Sequence, residues 1–314
     1  MKEYIIGKNE AGQRFDKYIF KLLKNAGTGL IFKQLRNKNI VLNGKKAKGN
    51  EILKENDSVR IFMSDDTINK FTGGPLHISK TGFRLDVIYE DDDILLASKP
   101  VGVLSQKSSD KDISMNEYLI EYLTDNGFGK ENLATFKPSF CNRLDRNTSG
   151  LMIAGKSLRG LQKMSEIIKD RSIHKFYLTI VKGIVDKKSV IKGYLRKDEK
   201  NNKVVIYDNP VKDSYEIHTE YEPLATKDDM TLLKVRLITG KTHQIRAHLA
   251  GISHPVLGDF KYGDKVLNEK YGEKRQLLHS YQVVFPKLDN FPDISEKSFN
   301  TPYPVNFTKY FKEN

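Results

Sequence analysis

Two short stretches of this sequence concentrate groups able to do chemistry. In FCNRLDRNTSGLMIAGKS, Arg143, Asp145 and Arg146 sit beside an Asn-Thr-Ser-Gly turn that runs straight into an apolar strand. A carboxylate flanked by guanidinium groups is held in its charged form, where it can attack an electrophilic carbon or accept a proton. The same pattern is also an ordinary ion pair at a turn, and for an isolated Asp that is the commoner outcome. In LITGKTHQIRAHLAGISHPVLGDFKYG, Lys241, His243, Arg246 and His248 fall within eight residues. The two histidines invite a metal, but residues five apart do not share a helical face and no third ligand stands at zinc spacing, so no metal is expected. This stretch suits phosphate binding or a guanidinium aimed at Asp145; the plainer alternative is an amphipathic helix with its basic side in water. Cys141, the single cysteine, lies in an apolar setting and reads as a buried bystander rather than a catalytic thiol.

The elements that must position these groups alternate between strand and helix patterns. FRLDVIYEDDDILLASKP reads as two strands around the acidic turn Glu90 to Asp93. SMNEYLIEYLTDNG has helical spacing with a Gly127 stop, and SLRGLQKMSEIIKD is a second helix capped by Ser157. HKFYLTIVKGIV, KVVIY, SYEIHTEYEPL and MTLLKVRLIT are β-rich, the last passing into a helix over THQIRAHLA. That mixture predicts an α+β fold with a mixed, largely antiparallel sheet over residues 83–314. Gly-rich phosphate turns are absent, so no nucleotide cofactor is expected.

In front of this lies a smaller basic unit. The chain carries 53 Lys and Arg against 40 Asp and Glu, a net charge of +13, and residues 1–64 hold 14 basic against 6 acidic residues. Such a surface attracts a polyanion. Phe15, Tyr18, Ile19, Leu22 and Leu23 repeat at helical spacing, and Leu30, Ile31 and Leu35 begin a second helix after Gly27-Thr28-Gly29. NIVLNGKKAKGNEILKENDSVRIFM follows, with hairpin chemistry at Asn43-Gly44. Lys33, Arg36, Lys38, Lys45, Lys46 and Lys48 cluster there, as a phosphate-facing surface or as a solvated lysine face. A linker is expected over 65–82, where Gly73-Gly74-Pro75 interrupts helix and strand alike. Apolar runs are far short of the roughly 20 residues that span a bilayer, and MKEYIIGKNEAGQRF has no secretory pattern. A soluble, cytoplasmic protein is the expectation, with no membrane partner and monomer as the default.

AGQRFDKYIFKLL followed by KQLRNKNIVLNGKKAKGNEILKENDSVRIF resembles the S-four-type RNA-binding domain, through Arg14, Asp16, Arg36, Val41-x-Asn43-Gly44-Lys45 and Asp57. Over residues 83–310 five ordered segments resemble the RluA-like pseudouridine synthases: EDDDILLASKPVG, NRLDRNTSGL, KFYLTIVKG, TGKTHQIRAHLAGISHPVLGDFKYG and LLHSYQVVF. Asn142 and Lys241 depart from the family pattern, where histidine and arginine are usual. The resemblance implies Asp145 as catalytic aspartate, Tyr177 as the residue stacking on the base, Arg246 as partner of the aspartate, and Arg143 as the side chain filling the gap left by a flipped nucleotide. Arg14, Lys33, Arg36, Lys45, Lys46, Lys241 and His243 are the expected RNA-binding residues.

The implied reaction is isomerisation of specific uridines to pseudouridine in structured RNA, with ribosomal RNA of the large subunit (23S) favoured over transfer RNA as partner. It breaks the bond from the anomeric carbon to N1, rotates the uracil and rejoins it through C5. Atoms in and out are the same, so no redox equivalent, phosphate donor or metal is needed and no cofactor is expected. Whether Asp145 attacks the sugar or removes a proton from it stays open. The alternatives are a non-catalytic RNA-binding or ribosome-assembly protein, a synthase acting on transfer RNA, and a nucleosidase that uses Asp259 as a second acid.

Overall fold

The computed structural model describes residues 1–73 and 80–312. The chain opens with β1 (Lys2–Ile5), α1 (Phe15–Leu22) and α2 (Thr28–Arg36), followed by β2 (Ile40–Leu42), β3 (Lys45–Lys46) and β4 (Ser58–Ile61). The strands form an antiparallel sheet in the order β1-β4-β2-β3. Helical spacing places Phe15, Ile19 and Leu22 on one face of α1, and Ile31 and Leu35 on one face of α2. Both faces close over Ile40, Val59 and Ile61 of the sheet. β2 and β3 join through Asn43 and Gly44 at φ 50° and 72°, the mirror-image turn whose twist matches a hairpin.

Two expectations are corrected here. The front unit exceeds two helices and a hairpin, because β1 adds a strand on β4. Nor are residues 65–82 a linker throughout: Asp65–Thr72 form α3. Ser64 caps α3 by accepting from the Thr67 amide, Gly73 ends it at φ 85°, and Ile68 is buried in the same core as α1 and α2. One buried residue anchors an otherwise polar helix, and overall polarity therefore reads as loop. Residues 74–79, with Gly74 and Pro75 of the expected break, lie outside the described residues. Among the described residues, two hydrogen bonds join the front unit to the rest, from the Leu158 amide to Asn9 Oδ1 at 2.9 Å and from Thr135 Oγ1 to Glu10 Oε1 at 2.7 Å.

The larger unit contains β5 (Asp86–Glu90), β6 (Ile94–Lys99), α4 (Met115–Asp125), β7 (Ser139–Phe140), β8 (Ser149–Gly155), α5 (Leu158–Lys169), β9 (His174–Lys182), β10 (Ser189–Asp198), β11 (Lys203–Tyr207), β12 (Tyr215–Lys227), β13 (Met230–Leu237), α6 (Gln244–Gly251), α7 (Lys265–Tyr271), β14 (Leu278–Val284) and β15 (Ser298–Asn300). Its sheet runs β11-β10-β12-β13-β9-β14-β8-β6-β5, with β15 on β14 and β7 on β8. Among the described residues only β14 and β8 pair in parallel, so the sheet is mixed and largely antiparallel, as expected. Side-chain alternation on β6 and β8 feeds two cores. Leu95, Ala97, Met152 and Ala154 pack with Met115 and Leu119 of α4, and Ile94, Leu96, Leu151 and Ile153 with Met164 and Ile167 of α5. No helix among the described residues is long and apolar enough to cross a membrane.

At the sheet centre Tyr177 of β9 is registered with Ser280 of β14, and Ser280 with Gly150 of β8. Gly150 sits at φ 106°, and any Cβ there would run into the Ser280 carbonyl. That close approach brings the start of β8, and with it the Asp145 turn, beside Tyr177.

Candidate active site

Asp145 stands in the turn between β7 and β8, its carbonyl accepting from the Thr148 amide at 3.0 Å. Ser105 braces the preceding residue, accepting from the Leu144 amide at 2.9 Å and donating to the Leu144 carbonyl at 2.8 Å. Lys99, fully buried at the end of β6, donates to the carbonyls of Pro100, Val103 and Arg146 at 3.0, 2.8 and 3.0 Å. Burial pushes its ammonium down to about 7, and the charge of Asp145 works the other way. Its hydrogen bonds tie the segment after β6 to the Asp145 turn.

The guanidinium that holds Asp145 comes from α6, 101 positions along the chain. Arg246 Nη1 donates to Asp145 Oδ2 at 2.7 Å, while its Nε and Nη2 grip Asp259 Oδ2 and Oδ1 at 2.7 and 2.8 Å. Asp259 is fully buried and also accepts from the amides of Lys261 and Tyr262 at 2.8 and 3.1 Å. Burial of Arg246 opposes its charge, but the bonds and field of Asp259, with Asp145 adding to them, move its pKa upward. Burial likewise opposes the charge of Asp259, and Arg246 outweighs it, keeping that carboxyl low. Planar bidentate geometry fixes the fork of Arg246 on one side and leaves Nη1 aimed at the reactive carboxylate. Asp145 Oδ1 has no donor among the described residues, so one carboxylate oxygen is held and the other is free.

This corrects the reading of Asp145 as lying between its sequence neighbours. Arg143 is exposed, and Arg146 donates through Nε to the Gly102 carbonyl at 3.0 Å. It also corrects Asp259 as a second acid. The residue does approach, but both its oxygens are committed to Arg246.

A cavity of about 550 Å³ opens over the carboxylate, lined by Asp145, Tyr177, Arg246, Arg143, Lys241 and His243 among others. The structure thus brings these six residues, expected from the sequence, around one space of a size that suits a nucleoside. Tyr177 is 5% exposed, and its phenol is pushed up to about 12 by burial, opposed by a hydrogen bond with Ser280 and aided by Asp145. Apolar walls come from Leu144, Leu237, Ile245 and Leu278. Lys241 places Nζ 3.6 Å from the centroid of the Tyr215 ring. His243 Nε2 lies 3.9 Å from Asp145 Oδ2, and its Nδ1 bonds the Tyr262 hydroxyl at 2.9 Å. Cys141 lines the cavity too, with a thiol pushed up to about 11 by burial.

The remaining expected RNA-binding residues, Arg14, Lys33, Arg36, Lys45 and Lys46, belong to the front unit. All five are exposed, and Arg14 also pairs with Asp16 at 2.6 Å. His248, within α6, is buried with Nδ1 bonded to Thr219 Oγ1 at 2.8 Å. No group of three His, Cys, Asp or Glu suited to a metal occurs among the described residues. Sequence reasoning passed over Lys99, Gln244 and Tyr262. Gln244 is buried and saturated: its Oε1 accepts from Thr239 Oγ1 and the Lys241 amide, and its Nε2 donates to the His218 carbonyl and Thr219 Oγ1. A lysine ending an apolar strand, and an amide opening a helix among basic residues, were the available signals for the first two.

A family model described as RNA pseudouridylate synthase matches residues 93–251. An uncharacterized RNA pseudouridine synthase of Mycoplasma genitalium is 31% identical over 94% of this chain and 93% of its own. A ribosomal large subunit pseudouridine synthase C of Buchnera aphidicola is 31% identical over 89% of this chain and 88% of its own. Among solved structures, human RNA Pseudouridylate Synthase Domain Containing 1 superposes with a TM-score of 0.57 at 21% identity, covering 72% of this chain and 86% of that one.

Proposed function

Because this chain belongs to the RNA pseudouridylate synthase family and isomerises uridine to pseudouridine in RNA, we propose that Asp145 is its catalytic carboxylate and that large-subunit ribosomal RNA is its substrate. The observation that carries the assignment is the chain Asp145–Arg246–Asp259. It holds one oxygen of Asp145 on a buried cation and presents the other to the cavity. The free oxygen attacks the anomeric carbon or takes a sugar proton; either route breaks the bond to N1. Arg246 and its anchor Asp259 keep the carboxylate aimed. Tyr177 gives the loose uracil a flat face, and Arg143 fills the space that the nucleotide leaves in the RNA.

A stacked uracil is out of reach, so the nucleotide is flipped, at a cost of a few kcal/mol. Phosphate contacts from Lys33, Arg36, Lys45 and Lys46 offset that cost without reading sequence. The front unit acts as an S-four-type RNA-binding domain, and its boundary belongs after α3 rather than before it. Lys241 and His243 contact RNA at the cavity mouth. Relatives from Buchnera aphidicola and Haemophilus ducreyi, named as ribosomal large subunit pseudouridine synthases C, favour ribosomal over transfer RNA. The protein works in the cytoplasm, and as a monomer, since one chain supplies both carboxylates and the arginine between them.

The test incubates the protein with ribosomal and transfer RNA transcripts tritiated at uracil C5 and counts label released to water, beside Asp145→Asn. Release from ribosomal RNA by the wild type alone is expected. Undiminished release by Asp145→Asn overturns the assignment of the carboxylate, and release from transfer RNA only overturns the substrate.

A further inference from the structure

His243 opens α6 in an unusual state. It is the N-cap residue, at φ 55° in the left-handed region, where few non-glycine residues sit unless their surroundings hold them. What holds it is the Tyr262 hydroxyl, 2.9 Å from Nδ1, with the two rings edge to face at 5.6 Å. Tyr262 is itself fixed, because its oxygen accepts from the Val204 amide of β11 at 2.8 Å.

The Tyr262 oxygen already accepts from the Val204 amide, and the acceptor that its one hydrogen meets among the described residues is Nδ1 of His243. With the phenol as donor, Nδ1 carries a lone pair and Nε2 carries the N–H of a neutral imidazole. Burial lowers the pKa of this histidine, Asp145 and Asp259 raise it, and Arg246 and Lys261 lower it further; the sum is downward, which favours the neutral ring. The Nε2–H faces Asp145 Oδ2 across 3.9 Å, too far for a hydrogen bond. It stands in the cavity wall as a donor with no acceptor in reach among the described residues, beside the carboxylate that acts on the sugar.

We propose that His243 is a catalytic hydrogen-bond donor to a carbonyl oxygen of the flipped uracil, locked as the Nε2–H tautomer by Tyr262. This rests on the reading of Asp145 as the reacting carboxylate. When the bond from the anomeric carbon to N1 breaks, its electron pair leaves with the uracil and spreads onto O2 and O4. A preorganised N–H at such an oxygen stabilises that charge more than the neutral base before cleavage. No proton passes from His243 itself; its hydrogen bond strengthens as the bond to N1 breaks and relaxes once C5 has joined the sugar and given up its own proton. The device serves either route open to Asp145, since both release the same uracil.

Two variants separate this role from packing. His243→Asn suits the left-handed backbone and still reaches Tyr262, but its amide stops short of the Nε2 position. His243→Gln reaches it with an N–H. Single-turnover label release from RNA tritiated at uracil C5 is expected to fall about a hundredfold in His243→Asn and no more than about tenfold in His243→Gln. RNA affinity falls in both by far less than the rate, since one contact at the flipped base is lost among many phosphate contacts. Tyr262→Phe frees the tautomer and costs roughly fivefold at pH 8. That deficit shrinks as pH falls below the histidine pKa, because an imidazolium donates from both nitrogens. Equal rates for wild type and His243→Asn overturn the inference, as does a His243→Asn defect confined to RNA affinity, or a Tyr262→Phe deficit unchanged by pH. A wild type that releases no label from any RNA overturns the reaction assigned to Asp145, and this inference with it.

Discussion

Lys33 and Arg36 on the last turn of α2, and Lys45 and Lys46 on β3, stand in solvent without an ion partner among the described residues. Arg246 has a side chain only 7% exposed and two carboxylates in contact, one of them fully buried. Cations in water keep their hydration and exchange it cheaply for phosphate, which gives affinity that weakens with salt. A buried cation has lost that hydration, and its stability rests on fixed partners. The front unit therefore supplies attraction without precision, and the cavity supplies precision at one oxygen atom. Net charge measures the first kind of site and says nothing of the second.

Breaking the buried side should have the largest effect. Arg246→Lys keeps the charge but loses the planar fork, so it cannot hold Asp259 with two bonds and reach Asp145 with a third. Turnover is expected to fall at least about a hundredfold with RNA affinity retained. Arg246→Ala strands Asp259, at a cost of about 3–5 kcal/mol in stability by denaturant unfolding. Should Arg246→Ala melt and turn over like the wild type, Arg246 would be one more surface charge and the contrast would collapse.

The two units should also separate with pH. Residues 1–73 contain no histidine, whereas the larger unit buries His248 and His279 as neutral rings. Burial pushes each down to about 4, with His218 adding to the effect on His248. A histidine whose folded pKa lies below its unfolded value contributes stability that is fully present above about 6.5 and is lost as pH falls toward 4. Each can account for about 3 kcal/mol over that window. Melting followed from pH 7 to pH 4 should show the larger unit weakening. His279→Gln, which can keep bonds to Ser149 and Thr301, should flatten the loss. An identical slope in that variant would move the acid sensitivity elsewhere.

Replacing Lys33, Arg36, Lys45 and Lys46 with alanine should leave turnover of bound RNA intact and weaken binding about tenfold or more at moderate salt. The slope of log affinity against log salt should fall by about 0.7–0.9 for each phosphate contact removed. An unchanged slope would mean that these residues only solvate the surface. A fall in single-turnover rate would mean that the front unit helps shape the site.

How much of this was legible in the sequence follows the same division. The exposed cluster, the helix faces of Phe15 and Ile31 and the Asn43-Gly44 turn are local patterns, and they read directly. So do the Asp145 turn and the Arg246 helix, each from its own residues. Local pattern points to Arg143 and Arg146 as the cations on the carboxylate, and the family resemblance to Arg246; the contact is long-range, set by where α6 packs, so no local pattern decides it. The double commitment of Asp259, the buried ammonium of Lys99 and the lock of Tyr262 on His243 depend on burial and on atoms brought from separate segments, which no local periodicity encodes. Helix α3 was missed for the opposite reason, because its one buried residue is too weak a pattern.

Cys141 is the sharpest control and carries the smallest expected effect. It lines the cavity four positions before Asp145, where a reactive thiol would stand if the site worked by sulfur. Its Sγ lies 3.9 Å from the Leu161 carbonyl, and burial holds the thiol at about 11. At neutral pH it is neither a nucleophile nor a base. Cys141→Ala is expected to keep its rate within about twofold and to lose about 1 kcal/mol of stability from the vacated volume. A complete loss of label release in a folded Cys141→Ala protein would overturn the division drawn here, because chemistry would then sit on a neutral apolar wall rather than on the carboxylate that Arg246 holds.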